Sequence, residues 1–269
     1  MDENKSKSRI TIRVSDESLS FSMAGPNVGD MPMYKKYDFK RGISASANLR
    51  DALKTEVLPQ SRGGALLMVD SPVVMMPLDR YYAGCEDVIY GNTITGQEGC
   101  RVESMQLPRL SIMSLFAVNN DLRMVVEDYF GKVKIIPVGA PVWDYYHRRN
   151  ISGIRHCMYL LLHDGKMDLF SFDRNRFKFF NAFPAGHTAN IIYYVMQVWQ
   201  LTGMKPDLDA LYILGDGGSK EEIKESLKKY LQNVFCINPS ADFNRAPATK
   251  INDMEYDLMT LYSCQDNLF

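Results

Sequence analysis

RHCMYLLLHDGKMDLFSFDRNRFKFFNAF, residues 155–183, holds three runs of β-type side chains joined by two tight turns, at Asp164 and Gly165 and at residues 173–175. An Asp-Gly pair between alternating apolar strands is a strong hairpin signal, because a two-residue primed turn needs left-handed backbone at both positions. The stretch therefore reads as a three-strand meander. The sequence after it, GHTANIIYYVMQVWQLTGMKP (186–206), reads as a helix from about Thr188. Ile191, Ile192, Val195, Met196 and Trp199 make its apolar stripe, and Gly203 and Pro206 mark its end. LDALYILGDGG (208–218) then gives a strand ending in glycines, SKEEIKESLKKYL (219–231) a helix with a Ser219/Glu222 capping box, and NVFCI (233–237) a further strand.

The first half of the chain has the same order. In RITIRVSDESLSFSM (9–23), Ile10, Ile12 and Val14 alternate with polar neighbours, and a turn at residues 15–17 leads into Leu19, Phe21 and Met23. MYKKYDF (33–39) is a third strand, and SASANLRDALK (44–54) is a helix behind a serine cap. Strand material follows in residues 65–77 and 102–118, and NNDLRMVVEDYFGK (119–132) is a capped helix stopped by Gly131. One topology, three strands, a helix and further β-α elements, thus occurs twice, with a seam near Asn150. The expected fold class is α/β, a duplicated two-lobed architecture of mixed sheets flanked by helices. The expected division is 1–150, with an insertion at about 71–118, and 151–269.

Composition narrows the function classes. Hydrophobic residues make up 46% and charged residues 23%, which removes disordered and fibrous classes. With 31 Lys+Arg against 32 Asp+Glu there is no global field to attract nucleic acid or an anionic membrane, so neither is an expected partner. Five cysteines without a CxxC pair argue for reduced thiols, and no apolar run approaches the roughly 20 residues of a membrane span. With a polar first dozen residues, these features point to the cytoplasm. The four histidines show no metal-ligand spacing. The basic run DYYHRRN (144–150) reads as a solvated helix end, and RFKFFNAF (176–183) as a strand buried between sheet and helices.

A duplicated β-β-β-α-β-α unit with an aspartate in each first hairpin, Asp16 in VSDESL and Asp164 in LHDGKMDL, resembles the actin-like ATPase superfamily, whose core is ribonuclease-H-like. The chain is also similar to an uncharacterised Bacteroidetes family assigned that fold. The resemblance implies that the two hairpin turns grip the phosphates of ATP while a Gly-rich strand-to-helix turn lies against the adenosine. Carried onto this sequence, the nucleotide-binding candidates are Asp16, Ser18, Asp164, Gly165, Lys166, Gly215, Gly217, Gly218 and Ser219.

The loops depart from that pattern. Phosphate loops present several backbone N–H groups, and glycines let the backbone come close to the oxygens. The first hairpin has Asp16, Glu17 and Ser18 where glycine and small hydroxyl residues are expected, and Glu17 would oppose a phosphate. The second keeps one glycine, Gly165, so it reads as a plain turn, with Lys166 as the group through which an anion could still be held. A second arrangement places Asp16, Asp164 and Asp168 around Mg²⁺. The expected function is a non-catalytic binding or scaffold module with degraded phosphate loops, needing no cofactor. It would act on a protein partner, with homo-oligomerisation open to it. The alternative is an ATP-binding protein with slow Mg-dependent hydrolysis.

Overall fold

The hairpin of β1 (Ile10–Val14) and β2 (Leu19–Met23) is continued by β3 (Met33–Tyr37) into an antiparallel meander. The computed structural model describes residues 9–27, 29–56, 64–150, 153, 155–215 and 219–263. After the helix α1 (Ala45–Thr55), N-capped by the Ser44 side chain, β4 (Ala65–Val69) pairs parallel with β1. The chain then leaves the sheet through β5 (Val73–Pro77), α2 (Glu86–Thr93), β6 (Cys100–Leu107) and β7 (Ile112–Asn119). These strands form a three-stranded antiparallel sheet, β5-β7-β6, with a small apolar core of its own around Tyr90, Met113 and Leu115. Helix α3 (Asn120–Phe130), capped by Asn119 and ended by Gly131, returns the chain to β8 (Val133–Pro137), which completes the sheet order β3-β2-β1-β4-β8.

Helix α4 (Ala140–Asn150) leads into the second meander, β9 (His156–His163), β10 (Lys166–Asp173) and β11 (Arg176–Pro184). Helix α5 (Thr188–Leu201), β12 (Ala210–Gly215), α6 (Lys220–Leu227) and β13 (Asn233–Cys236) complete the sheet β11-β10-β9-β12-β13. In both five-stranded sheets the third strand of the meander is an edge, and the first strand pairs parallel with the strand that follows the helix. The chain closes with α7 (Pro239–Asp242) and α8 (Tyr256–Ser263).

Side-chain alternation decides which face each sheet buries. On β9, Met158, Leu160 and Leu162 pack with Ile191, Val195 and Ile223 of α5 and α6. Cys157, Tyr159 and Leu161 instead join a core that runs through both sheets and includes Trp143 and Tyr146 of α4.

Three elements differ from the sequence reading. The run at 144–150 is the end of a buried helix, with Val142, Trp143, Asp144, Tyr146 and His147 inside. Pro141 sits in the first turn, where no N–H is needed, so Gly-Ala-Pro opens the helix rather than a loop. The basic side chains there are paired: Arg148 with Asp144 at 3.3 Å and Arg149 with Asp242 at 2.9 Å. β11 is half-exposed rather than buried, because it closes one edge of its sheet. Ser219 makes no side-chain capping bond, so there is no capping box at α6. The polar face of β1 and β2 is not solvated: Thr11, Arg13, Ser20 and Ser22 are buried beneath the chain around α8. There the Tyr262 hydroxyl donates to Ser22 Oγ at 2.9 Å and Ser20 Oγ donates to Glu255 at 3.2 Å. Among the described residues no helix is long and apolar enough to cross a membrane.

Candidate functional site

The two hairpin turns named by the resemblance face each other, and they are tied together. The turn of β9 and β10 has Asp164 and Gly165 at φ 43° and 69°, with His163 opposite Lys166, a two-residue hairpin with left-handed backbone at both positions. Such a turn holds the Asp164 carboxylate against the other turn. Ser15 Oγ donates to Asp164 Oδ1 at 2.7 Å and Ser18 Oγ lies 3.0 Å from the same oxygen. Arg13 Nη2 donates to Asp164 Oδ2 at 2.5 Å.

Arg13 is the hub. Its position on β1 points it to the face covered by α8, and it is 1% exposed. Nε donates to both oxygens of Asp257 at 2.9 and 2.8 Å, and Nη1 to Ser18 Oγ at 3.0 Å. One guanidinium therefore joins the first hairpin, the second hairpin and α8. A planar fork of fixed donors suits that role better than a point charge.

A second set of charges flanks the first. His163 Nδ1 lies 3.3 Å from Asp164 Oδ2, and Nε2 lies 3.4 Å from Asp168 Oδ1. Lys166 Nζ donates to Asp70, the residue after β4, at 2.8 Å and lies 3.7 Å from Asp16. Asp70, His163 and Asp164 offer donor atoms within 4.8 Å of one another. Their negative charge is met by the Lys166 ammonium and the Arg13 guanidinium.

Burial opposes charge on His163, but Asp168 and the hydrogen bonds to Asp164 and Asp168 outweigh it and push the imidazole up to about 10. Burial likewise opposes ionisation of Asp164, yet the hydrogen bond from His163 and the charge of Arg13 hold it well below the usual carboxylate range. Burial pushes Asp257 up to about 7; Arg13 counters this, while Glu255 and Asp164 add to it.

Of the expected site residues, Ser18, Asp164 and Lys166 come together here, each with a protein partner. Asp16 is at the margin, its side chain 86% exposed, so the trio Asp16, Asp164 and Asp168 does not converge; Asp70 takes the place expected of Asp16. Glu17 is exposed at the rim of the same cleft, and Gly165 serves the turn. Gly215 has φ 86° at the end of β12, where an added Cβ would lie 2.0 Å from the carbonyl oxygen of Leu162, so close strand packing accounts for it. Its own carbonyl accepts from Lys220 Nζ at 2.6 Å. Gly217 and Gly218 lie outside the described residues, and Ser219 stands at the start of α6. Sequence reasoning missed Arg13, Asp70 and Asp257. The signal available for Arg13 was a lone cation within an apolar strand; nothing local marks Asp257, 244 residues away.

Comparison with known proteins agrees with this architecture. A Bacteroides thetaiotaomicron protein, described as having an actin-like ATPase fold and unknown function, superposes with a TM-score of 0.82 at 21% identity, covering 98% of this chain and 100% of that one. The PilM-PilN type IV pilus biogenesis complex gives 0.59 at 10% identity, over 96% of this chain and 97% of that one. The fold is that of the actin-like ATPases. No curated protein sequence matches. A family profile described as "Protein of unknown function (DUF3822)" matches residues 2–234, which take in both hairpins and both five-stranded sheets as far as the start of β13, and so the chain belongs to that family.

Proposed function

We propose that this protein is a non-catalytic binding or scaffold module, in which the place of a nucleotide's phosphates is taken by an internal ion-pair network. The observation that carries the reading is the Asp164 carboxylate, held by Arg13, Ser15 and Ser18 between the two hairpin turns. A phosphate entering there would have to displace Asp164 from Arg13 or lie beside Asp164 and Asp70. At about 4 Å, each unit of like charge costs roughly 1 kcal/mol in water and about 4 kcal/mol at the effective dielectric of a protein surface. Two of the cations lining that cleft are already engaged, Arg13 with two carboxylates and Lys166 with Asp70. The residues present therefore fit a locked junction better than they fit Mg-ATP.

On this reading the chain is two lobes, 1–150 and 151–269, descended from one duplicated unit and fixed relative to each other. A protein partner is the occupant we infer for its surface. The fold itself has that use elsewhere, since one similar structure is a two-protein complex of pilus biogenesis.

Titration with Mg-ATP at millimolar concentration tests the reading. A ligand at 100 times its dissociation constant stabilises the folded state by about 2.7 kcal/mol, enough to raise the melting temperature by several degrees for a chain of this length. The expected result is no shift. A shift that disappears in Lys166→Ala would reverse the conclusion in favour of a nucleotide-binding protein.

A further inference from the structure

A cleft of about 690 Å³ lies away from the hairpin junction, between the three-stranded sheet, the end of α4 and the turn that joins β10 to β11. Arg109, His147, Arg176 and Lys178 line it, against a single lining carboxylate among the described residues, Asp79. We propose that this cleft binds a phosphorylated organic molecule, its phosphate on Arg176, Lys178 and Arg109 and its apolar body against Met75, Leu110 and Phe177.

Two observations bear on the ligand, the first of which selects an anion. The first is Arg176, a cation within a charged cleft that engages no ion pair or side-chain hydrogen bond among the described residues, while Arg109 is held by Asp144 at 2.9 Å and Lys178 lies 3.4 Å from Asp173. A guanidinium with all its donors available presents the fork that suits phosphate oxygens. The second is His147, which lines the cleft yet is only 5% exposed. Its Nε2 lies 2.9 Å from the Asn175 carbonyl, which can only accept, so Nε2 carries the proton. Nδ1 is left as a buried ring nitrogen without a partner among the described residues. With the proton on Nε2, Nδ1 can only accept, so a ligand that reaches it does so with a donor, as the P–OH of a singly ionised phosphate monoester can. Volume selects the class, since the cleft is far larger than a bare phosphate and falls in the range of sites for small organic ligands.

None of these residues belongs to the hairpin junction, so the inference stands or falls separately from the proposed function. Isothermal titration of the full chain with phenyl phosphate and with inorganic phosphate tests it. Saturable sub-millimolar binding of phenyl phosphate is expected, tighter than that of inorganic phosphate. It should weaken about tenfold or more in the double variant Arg176→Ala/Lys178→Ala, whose exposed positions leave the fold intact, and remain unchanged in Lys166→Ala. Equal affinity for the two anions, no saturable binding, or binding indifferent to the double variant overturns the proposal.

Discussion

Arg13 carries its charge into the interior because two carboxylates wait for it there, and the consequence is asymmetric. Removing both signs can be neutral, whereas removing only the cation leaves Asp257 and Asp164 buried and uncompensated. Arg13→Met should cost about 3–5 kcal/mol in urea denaturation. Adding Asp164→Asn and Asp257→Asn to that variant should recover a large part of the loss. A loss below about 1 kcal/mol in Arg13→Met would show that the network contributes little. Histidine 163 sets the pH response. Its folded value, about 10, exceeds its ordinary 6.5, so its stabilisation is complete below pH 6.5 and fades as pH rises towards 10. Asp257, pushed up to about 7 from 3.8, acts in the same direction over the lower window, because its folded form holds a proton that the unfolded chain has released. Asp164 acts oppositely and only in strong acid, as its folded carboxyl stays ionised below the usual range. The denaturation midpoint should therefore fall between pH 6.5 and 10 in the parent protein and fall much less in His163→Gln.

At the scale of elements, the end of β12 provides the sharpest test of what the glycines are for. If Gly215 were kept for a nucleotide, alanine there would disturb binding alone. The φ of 86° and the Leu162 carbonyl oxygen 2.0 Å from the added Cβ predict instead a folding defect, about 1–3 kcal/mol, in Gly215→Ala. A variant as stable as the parent would refute the packing account. The hairpins and their order were legible because the period-two patterns of residues 9–23 and 155–183 and the Asp-Gly turn are local signals, and the resemblance could rest on them. The start and the burial of helix α4 were not legible, since Gly139 and Pro141 interrupt the pattern and its apolar face is matched by residues distant in sequence, such as Phe180, whose ring lies 4.9 Å from that of Trp143. What covers the polar residues of β1 and β2 was not legible for the same reason. Their partners, Glu255 and Tyr262, come from the far end of the chain. The candidate site was half legible: Asp164 and Lys166 were found by their turn, but their partners Arg13 and Asp70 come from strands far away in sequence.

The whole molecule is held by sequence-distant ties more than its two separate five-stranded sheets suggest. Residues near the C-terminal end complete the first lobe, with α8 packed beside α4 and Asp257 under β1. Deleting the chain after Asn238 should therefore leave a product without cooperative unfolding, because Arg13 loses its bidentate partner and Thr11 and Ser22 lose Tyr262. A cooperative transition in that truncated chain, followed by circular dichroism, would mean that α8 is only a cover. The Arg13–Asp257 pair also bears on how the protein is made. At roughly 5–20 residues per second, the ribosome adds Asp257 some 12–50 seconds after Arg13, so throughout synthesis the nascent first lobe holds a cation for which its anion has not yet been translated. Early closure of β1 into a dry core is disfavoured for that interval, and final consolidation of both lobes becomes a single event that awaits the last helix.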